Sequence, residues 1–144
     1  MMDLIWFRGK EMRLADNLAL SQAASNKAFL FVLDPYFFAP KRAQGIPHRI
    51  QFLLQALSSL SADIESRGGR LWVVEGHSLD VVPDIAHRIG ASRVVSQRWS
   101  DPLGRFRDER IAAALDVPFL LTDGETLHPP GELRTLGGKP YSVF

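Results

Sequence analysis

The sequence contains no cysteine. Disulfide cross-links, thiolate nucleophiles and cysteine-ligated metals are therefore excluded, and a reducing compartment is compatible with the chain. An excess of one charge is also lacking: 17 Lys and Arg against 16 Asp and Glu leave a formal net charge of +1 over 144 residues. No field of one sign exists to draw in DNA or a membrane surface by bulk attraction, so direct DNA binding is not expected of this segment. Long apolar runs are missing. None approaches the roughly 18 residues needed to cross a bilayer, and the opening from Met1 to Phe7 lacks the charged start and apolar stretch of a signal peptide. A soluble, cytoplasmic chain is the expectation.

Several chemical signatures are absent as well. No G-x-G-x-x-G follows the first apolar run and no Walker A pattern occurs, so dinucleotide and ATP sites of those kinds are not expected. His48, His77, His87 and His128 stand at no metal-ligand spacing with each other or with a carboxylate pair, and read as surface or capping residues. Ser21, Ser25, Ser58, Ser59 and Ser61 lack a nucleophile-elbow context.

What is present is an ordinary globular composition, 46% hydrophobic and 23% charged, at the size of one domain. Five short apolar runs recur at residues 4–7, 28–33, 71–75, 93–97 and 118–121. They do not alternate polar with apolar, the pattern of strands covered on both faces. Between them the period changes. Ile50, Leu53, Leu54, Leu57, Leu60 and Ile64 place one apolar stripe on a helix that Pro47 opens and Gly68-Gly69 ends. Leu79, Val82, Ile85 and Ile89 predict a shorter helix closed by Gly90. Asp101-Pro102 reads as an N-cap and first-turn proline of a helix reaching about Leu115. Strand alternating with helix predicts an α/β, Rossmann-like, doubly wound five-stranded parallel sheet of order 3-2-1-4-5, with helices on both faces. Residues 124–144 crowd glycine and proline and read as a loop-rich connection after a domain spanning 1–123.

In such sheets ligands bind beyond the carboxyl ends of the strands, where strand order reverses. The crevice then lies between the first and fourth strands, bordered by residues 8–13 (Arg8, Gly9, Lys10, Glu11, Met12, Arg13) and 98–101 (Arg98, Trp99, Ser100, Asp101). That mixture could hold a flat, partly charged ligand, or be a solvated loop. Trp6 and Trp72 lie in strands and read as core. Trp99 follows a strand at the switch point and is a candidate stacking surface.

Several motifs in order now resemble one family. Trp6-Phe7-Arg8, followed by Met12 through Leu20, is similar to the opening of DNA photolyases, W-F-R-x-D-L-R-L-x-D-N-x-A-L. Residues 31–35 (FVLDP) resemble the second strand and its exit. Residues 49–60 (RIQFLLQALSSL) resemble the helix R-x-x-F-L-x-x-S-L-x-x-L, and 69–76 the third strand. The tail, from Asp123-Gly124 through His128-Pro129-Pro130-Gly131 to the segment 138–144 (GKPYSVF), is similar to the stretch leading toward that family's inter-domain linker. The resemblance is to the N-terminal, antenna-pigment domain of the DNA photolyase and cryptochrome family, and of a bacterial deoxyribodipyrimidine photolyase in particular. The first loop departs from the pattern. It is one residue longer and lacks the common aspartate, with Glu11 nearby.

The resemblance implies a light-driven flavoprotein whose C-terminal helical domain holds FAD and splits pyrimidine dimers, and whose N-terminal domain binds a second pigment: a deazaflavin, methenyltetrahydrofolate or a flavin. This chain is expected to stop before the FAD domain, to pair with that domain in the full-length protein, and to repair nothing alone. Carried over from the deazaflavin-type site, Phe37 or Phe38 would stack on a ring, Arg49 would meet a carboxylate or phosphate beside Leu53, and Asp101 would accept from a ring N–H. With Arg8 and Trp99 these are the candidate pigment residues. Asp101 reads equally as an N-cap, and Arg49 as a solvated first-turn residue. A free-standing nucleotide-binding module and a cryptochrome-like interaction module stay open. Self-association through apolar residues at the end of the chain, 141–144, is a further expectation.

Overall fold

A computed structural model describes residues 1–141. Five strands, β1 (Asp3–Phe7), β2 (Lys27–Leu33), β3 (Leu71–Glu75), β4 (Arg93–Gln97) and β5 (Phe119–Thr122), form one parallel sheet of order β3-β2-β1-β4-β5. The expected topology is observed. β1 occupies the centre because all five of its residues are buried, and its register sets Ile5 against Phe29 on one side and Val95 on the other.

Alternation along β1 divides the interior into two cores. Leu4 and Trp6 point to a layer containing Leu30, Val32, Val82, Ala86, Val94 and Ile111. Ile5 and Phe7 point the other way, to Phe31, Leu57, Leu60, Ile64 and Val95. The first core is covered by α5 (Ser78–Arg88) and α6 (Pro102–Ala114), the second by α1 (Leu18–Ser21) and α4 (Pro47–Glu65). Helices on both faces explain why the strands carry unbroken apolar runs.

Two short helices, α2 (Pro35–Phe38) and α3 (Pro40–Gln44), were not anticipated. Each begins with proline at its first position, and Asp34 caps α2 by accepting from the Tyr36 N–H at 2.9 Å. The stripe on α4 also differs from expectation. Leu57, Leu60 and Ile64 are buried, whereas Leu54 is 46% and Phe52 71% exposed. A helix of 19 residues runs for about 28 Å, and five-residue strands for only about 17 Å, so the sheet supports its second half. After β5, residues 123–141 carry neither helix nor strand. Of the residues invoked for self-association, Tyr141 is exposed and Ser142, Val143 and Phe144 lie outside the described residues.

Among the described residues no helix is long and apolar enough to cross a membrane. All four histidines are exposed.

Candidate functional site

The loop after β1 is not simply solvated. Gly9, Lys10 and Arg13 are exposed, but Arg8 retains 3% exposure and Glu11 is fully enclosed. Arg8 has the same parity as Leu4 and Trp6, so it continues their face toward α6. There its Nη1 donates to Asp108 Oδ1 at 2.6 Å, and its Nη2 donates to the Gln97 carbonyl at the end of β4. Glu11 folds back to accept the Arg8 backbone N–H at 2.9 Å, and its other oxygen accepts Trp99 Nε1–H at 3.3 Å. Burial pushes the Glu11 carboxyl above its ordinary range, against the pull of Arg8 and the Trp99 hydrogen bond. Asn17 anchors the loop, donating to the Glu11 and Arg13 carbonyls while its oxygen caps α1 at the Leu20 N–H.

Two tryptophans and two arginines interleave beneath this loop. Arg8 lies 4.8 Å from the Trp6 ring centre and 5.2 Å from that of Trp99; Arg107 lies 5.3 Å and 4.8 Å from the same rings. All four distances fall within the range of cation–π attraction. Trp99 packs this closely because α6 has glycine at 104, where a Cβ would come within 2.5 Å of the Trp99 Cβ.

Above this layer opens a cleft of about 190 Å³. Its lining brings together Arg8, Phe37, Phe38, Arg49, Leu53 and Trp99, six of the seven residues singled out from the sequence. Helix α2 supplies the two phenylalanines, with Phe38 edge-on to Phe31 in the core. The first turn of α4 supplies Arg49, whose guanidinium lies 5.2 Å from the Phe37 ring, and Leu53 follows one turn on. Asp101 is not in the lining. Its Oδ1 caps α6 by accepting the Gly104 N–H at 2.9 Å, and Oδ2 meets Lys10 at 3.3 Å. Lys10 also bonds to Glu125, whose second oxygen accepts from the Ser100 N–H at 2.6 Å and Oγ–H at 2.7 Å. Those contacts fasten the chain after β5 to the β4–α6 loop.

The lining also holds residues the sequence reading passed over. Trp6, assigned there to the core, is buried but walls the cleft as well, because it stands near the carboxyl end of β1. Asp34 and Ser78 line it too. Asp34 Oδ2 accepts both the Ser78 N–H at 2.8 Å and its Oγ–H at 2.6 Å, joining the starts of α2 and α5. Arg107 is the most consequential omission. A mid-helix arginine reads as solvated, yet this one is enclosed between tryptophans. The usable signal was its neighbour: Asp108 falls on the buried stripe Gly104, Asp108, Ile111, where a carboxylate needs a cation. Among the described residues no group of three or more metal-ligating side chains occurs.

Residues 3–144 match the DNA photolyase family along essentially the whole sequence. The chain belongs to the DNA photolyase family. Among its relatives is the deoxyribodipyrimidine photo-lyase of a Synechococcus strain, 32% identical over 98% of this chain and 30% of its own length. Chicken (Gallus gallus) cryptochrome-2 is 34% identical over 96% of this chain and 25% of its length. A bacterial class III photolyase from Agrobacterium tumefaciens superposes with a TM-score of 0.81 at 29% identity, covering 98% of this chain and 29% of that one. The chain thus spans less than a third of the length of these photolyases and cryptochromes, and the fold is that of their corresponding third.

Proposed function

We propose that this chain is the antenna-pigment-binding α/β portion of a DNA photolyase, and that the cleft between the carboxyl ends of β1, β2 and β4 holds the pigment. The observation that carries this reading is the convergence of Phe37, Phe38 and Trp99 with Arg8 and Arg49 on one cleft at the switch point of the sheet. Aromatic walls suit a planar conjugated ring, and guanidinium groups suit its polar substituents. A volume of about 190 Å³ is below the roughly 300–1,000 Å³ of pockets that enclose a whole small molecule. One ring system would be held, with the remainder of the ligand extending along the surface.

The residues present fit such a group on independent grounds. Arg107 has buried nitrogens with no partner in the protein, and the lining is otherwise apolar and aromatic. When bound, a deazaflavin, methenyltetrahydrofolate or flavin would absorb light and pass the excitation onward. The protein's part is placement: Phe37 and Trp99 would flank the ring, Arg49 would hold a substituent, and Leu53 with Phe38 would keep water from its edge. Asp101, in this reading, acts on Lys10 and the start of α6 and not on the ring. Light-driven repair of pyrimidine dimers, with FAD in a C-terminal domain, is proposed for the longer protein and not for this portion by itself.

The test is reconstitution. The purified chain is mixed separately with FMN, a deazaflavin and methenyltetrahydrofolate, passed through a desalting column and scanned. One pigment retained at close to one per chain, with a shifted absorption band, is the expected result. Loss of all three on the column overturns the reading.

A further inference from the structure

We infer that the cleft selects an aromatic ligand that carries a phosphate or carboxylate, and that Arg107 receives this anionic group through its Nε–H and Nη2–H. This rests on the cleft being the pigment site, and it goes further by fixing the ligand's charge and the residue that reads it. The cleft lining contains four cations, Arg8, Lys10, Arg49 and Arg107, against a single acid, Asp34. The chain as a whole has a net charge of only +1. The imbalance is local.

Most of those charges are already committed. Arg8 is held by Asp108 at 2.6 Å and by the Gln97 carbonyl. Lys10 is bracketed by Asp101 and Glu125. The Asp34 carboxylate is occupied by the Tyr36 N–H and by both donors of Ser78. Arg49 and Arg107 are left. Neither takes part in any salt bridge among the described residues.

Of the two, Arg107 is the one under electrostatic pressure. Its Nε and Nη2 are buried and have no hydrogen-bond partner in the protein. A buried guanidinium without an anion is costly, and a partner supplied from outside recovers much of that cost. Burial, with Arg8 beside it, pulls the Arg107 guanidinium below its ordinary range. Asp108, adjacent in sequence, is already engaged by Arg8.

Geometry narrows the ligand further. The rings of Trp6 and Trp99 lie 5.3 Å and 4.8 Å from the Arg107 guanidinium, so its flat faces are occupied by aromatic surface. What is left is the in-plane edge. Nε–H and Nη2–H form the two-donor side of an arginine, which matches a pair of oxygens on a carboxylate or phosphate. Arg49, 5.2 Å from Phe37 on the opposite wall, adds a second cation without fixing an orientation.

Riboflavin and FMN share one ring system and differ by a phosphate, so they isolate the charge. Fluorescence titration of the intact chain at low salt is expected to show FMN binding at least tenfold tighter than riboflavin. The ratio should shrink toward one in 0.5 M salt and in Arg107→Gln, and recover in part in Arg107→Lys. Equal affinity of the two in the unaltered protein overturns the inference and leaves the ring-binding reading standing. If neither flavin binds, the reading of the cleft as a flavin site fails, and inorganic pyrophosphate decides the anion question. A pyrophosphate-induced shift of the Arg107 Nε–H resonance, lost in Arg107→Gln, supports the subsite; an unmoved resonance up to millimolar pyrophosphate refutes it.

Discussion

At Glu11 one carboxylate serves two donors in a place almost without water. It accepts the Arg8 backbone N–H and the Trp99 ring N–H, so it holds the first loop and the stacking residue together. Because burial raises its pKa above the ordinary 4.5, the folded state keeps a proton that the unfolded chain has released at the same pH. Stability therefore falls as pH rises through the window that starts at 4.5 and ends at the raised value. Glu11→Gln, which cannot ionise, is expected to reduce that slope. Urea midpoints measured at half-unit steps from pH 4.5 to 8 provide the check. Some slope should persist, because burial displaces Asp108 in the same direction. An unchanged pH profile would show that Glu11 is no more proton-binding in the folded state than in the unfolded one. The same residue shows what a sequence hides. Glu11 sits in a loop with Arg8, Lys10 and Arg13, a composition indistinguishable from a solvated turn. Only the position of Arg8 on the Leu4–Trp6 side of the central strand draws it inward.

At the scale of elements, caps decide the shape of the cleft. Asp34 ends β2, caps α2 at Tyr36 and binds the start of α5 at Ser78, so a single carboxylate fixes two helix entrances and the phenylalanines between them. Asp34→Ala should cost about 1–3 kcal/mol at pH 7 and loosen α2, read as a lower urea midpoint and altered Phe37 and Phe38 methylene shifts. Its pKa is held below the ordinary 3.8, since the hydrogen bonds from Ser78 and Tyr36 outweigh the opposing effect of burial. The contribution is therefore lost as pH falls below 3.8, and wild type and variant should converge there. The strands and long helices were legible because each has its own periodic signal, from the unbroken runs of β2 to the proline and glycine limits of α4. The short helices α2 and α3 were not, because four or five residues cannot display a helical period. Asp34-Pro35 is the same cap-and-proline pair that announced α6, but without an apolar stripe behind it the pair reads as a strand exit. In the cleft, residues that follow a strand or open a helix were found. Trp6 and Arg107, whose exposure to the cleft depends on depth within an element, were not.

Across the whole molecule the cleft is built from distant pieces. Arg8 and its counter-ion Asp108 are separated by 100 residues, and β1, first in sequence, lies between β2 and β4 in the sheet. Parallel sheets rely on such non-local pairings. A chain shortened to residues 1–100 keeps four strands but loses α6, with Ile111, Arg107 and Asp108. It should show no cooperative urea transition by far-ultraviolet circular dichroism, whereas the full 144 residues should unfold in one step. A sharp transition in the shortened chain would mean that α6 only decorates the sheet. The order of strands also dictates a timetable. As the chain leaves the ribosome, Arg8 emerges nearly first and its counter-charge some hundred residues later, at roughly 5–20 residues per second. For that interval, on the order of seconds, the nascent chain exposes an unpaired arginine beside bare tryptophan and apolar strand surface. Protecting this early segment is a task for the translation machinery and its chaperones before any light-absorbing partner can be received.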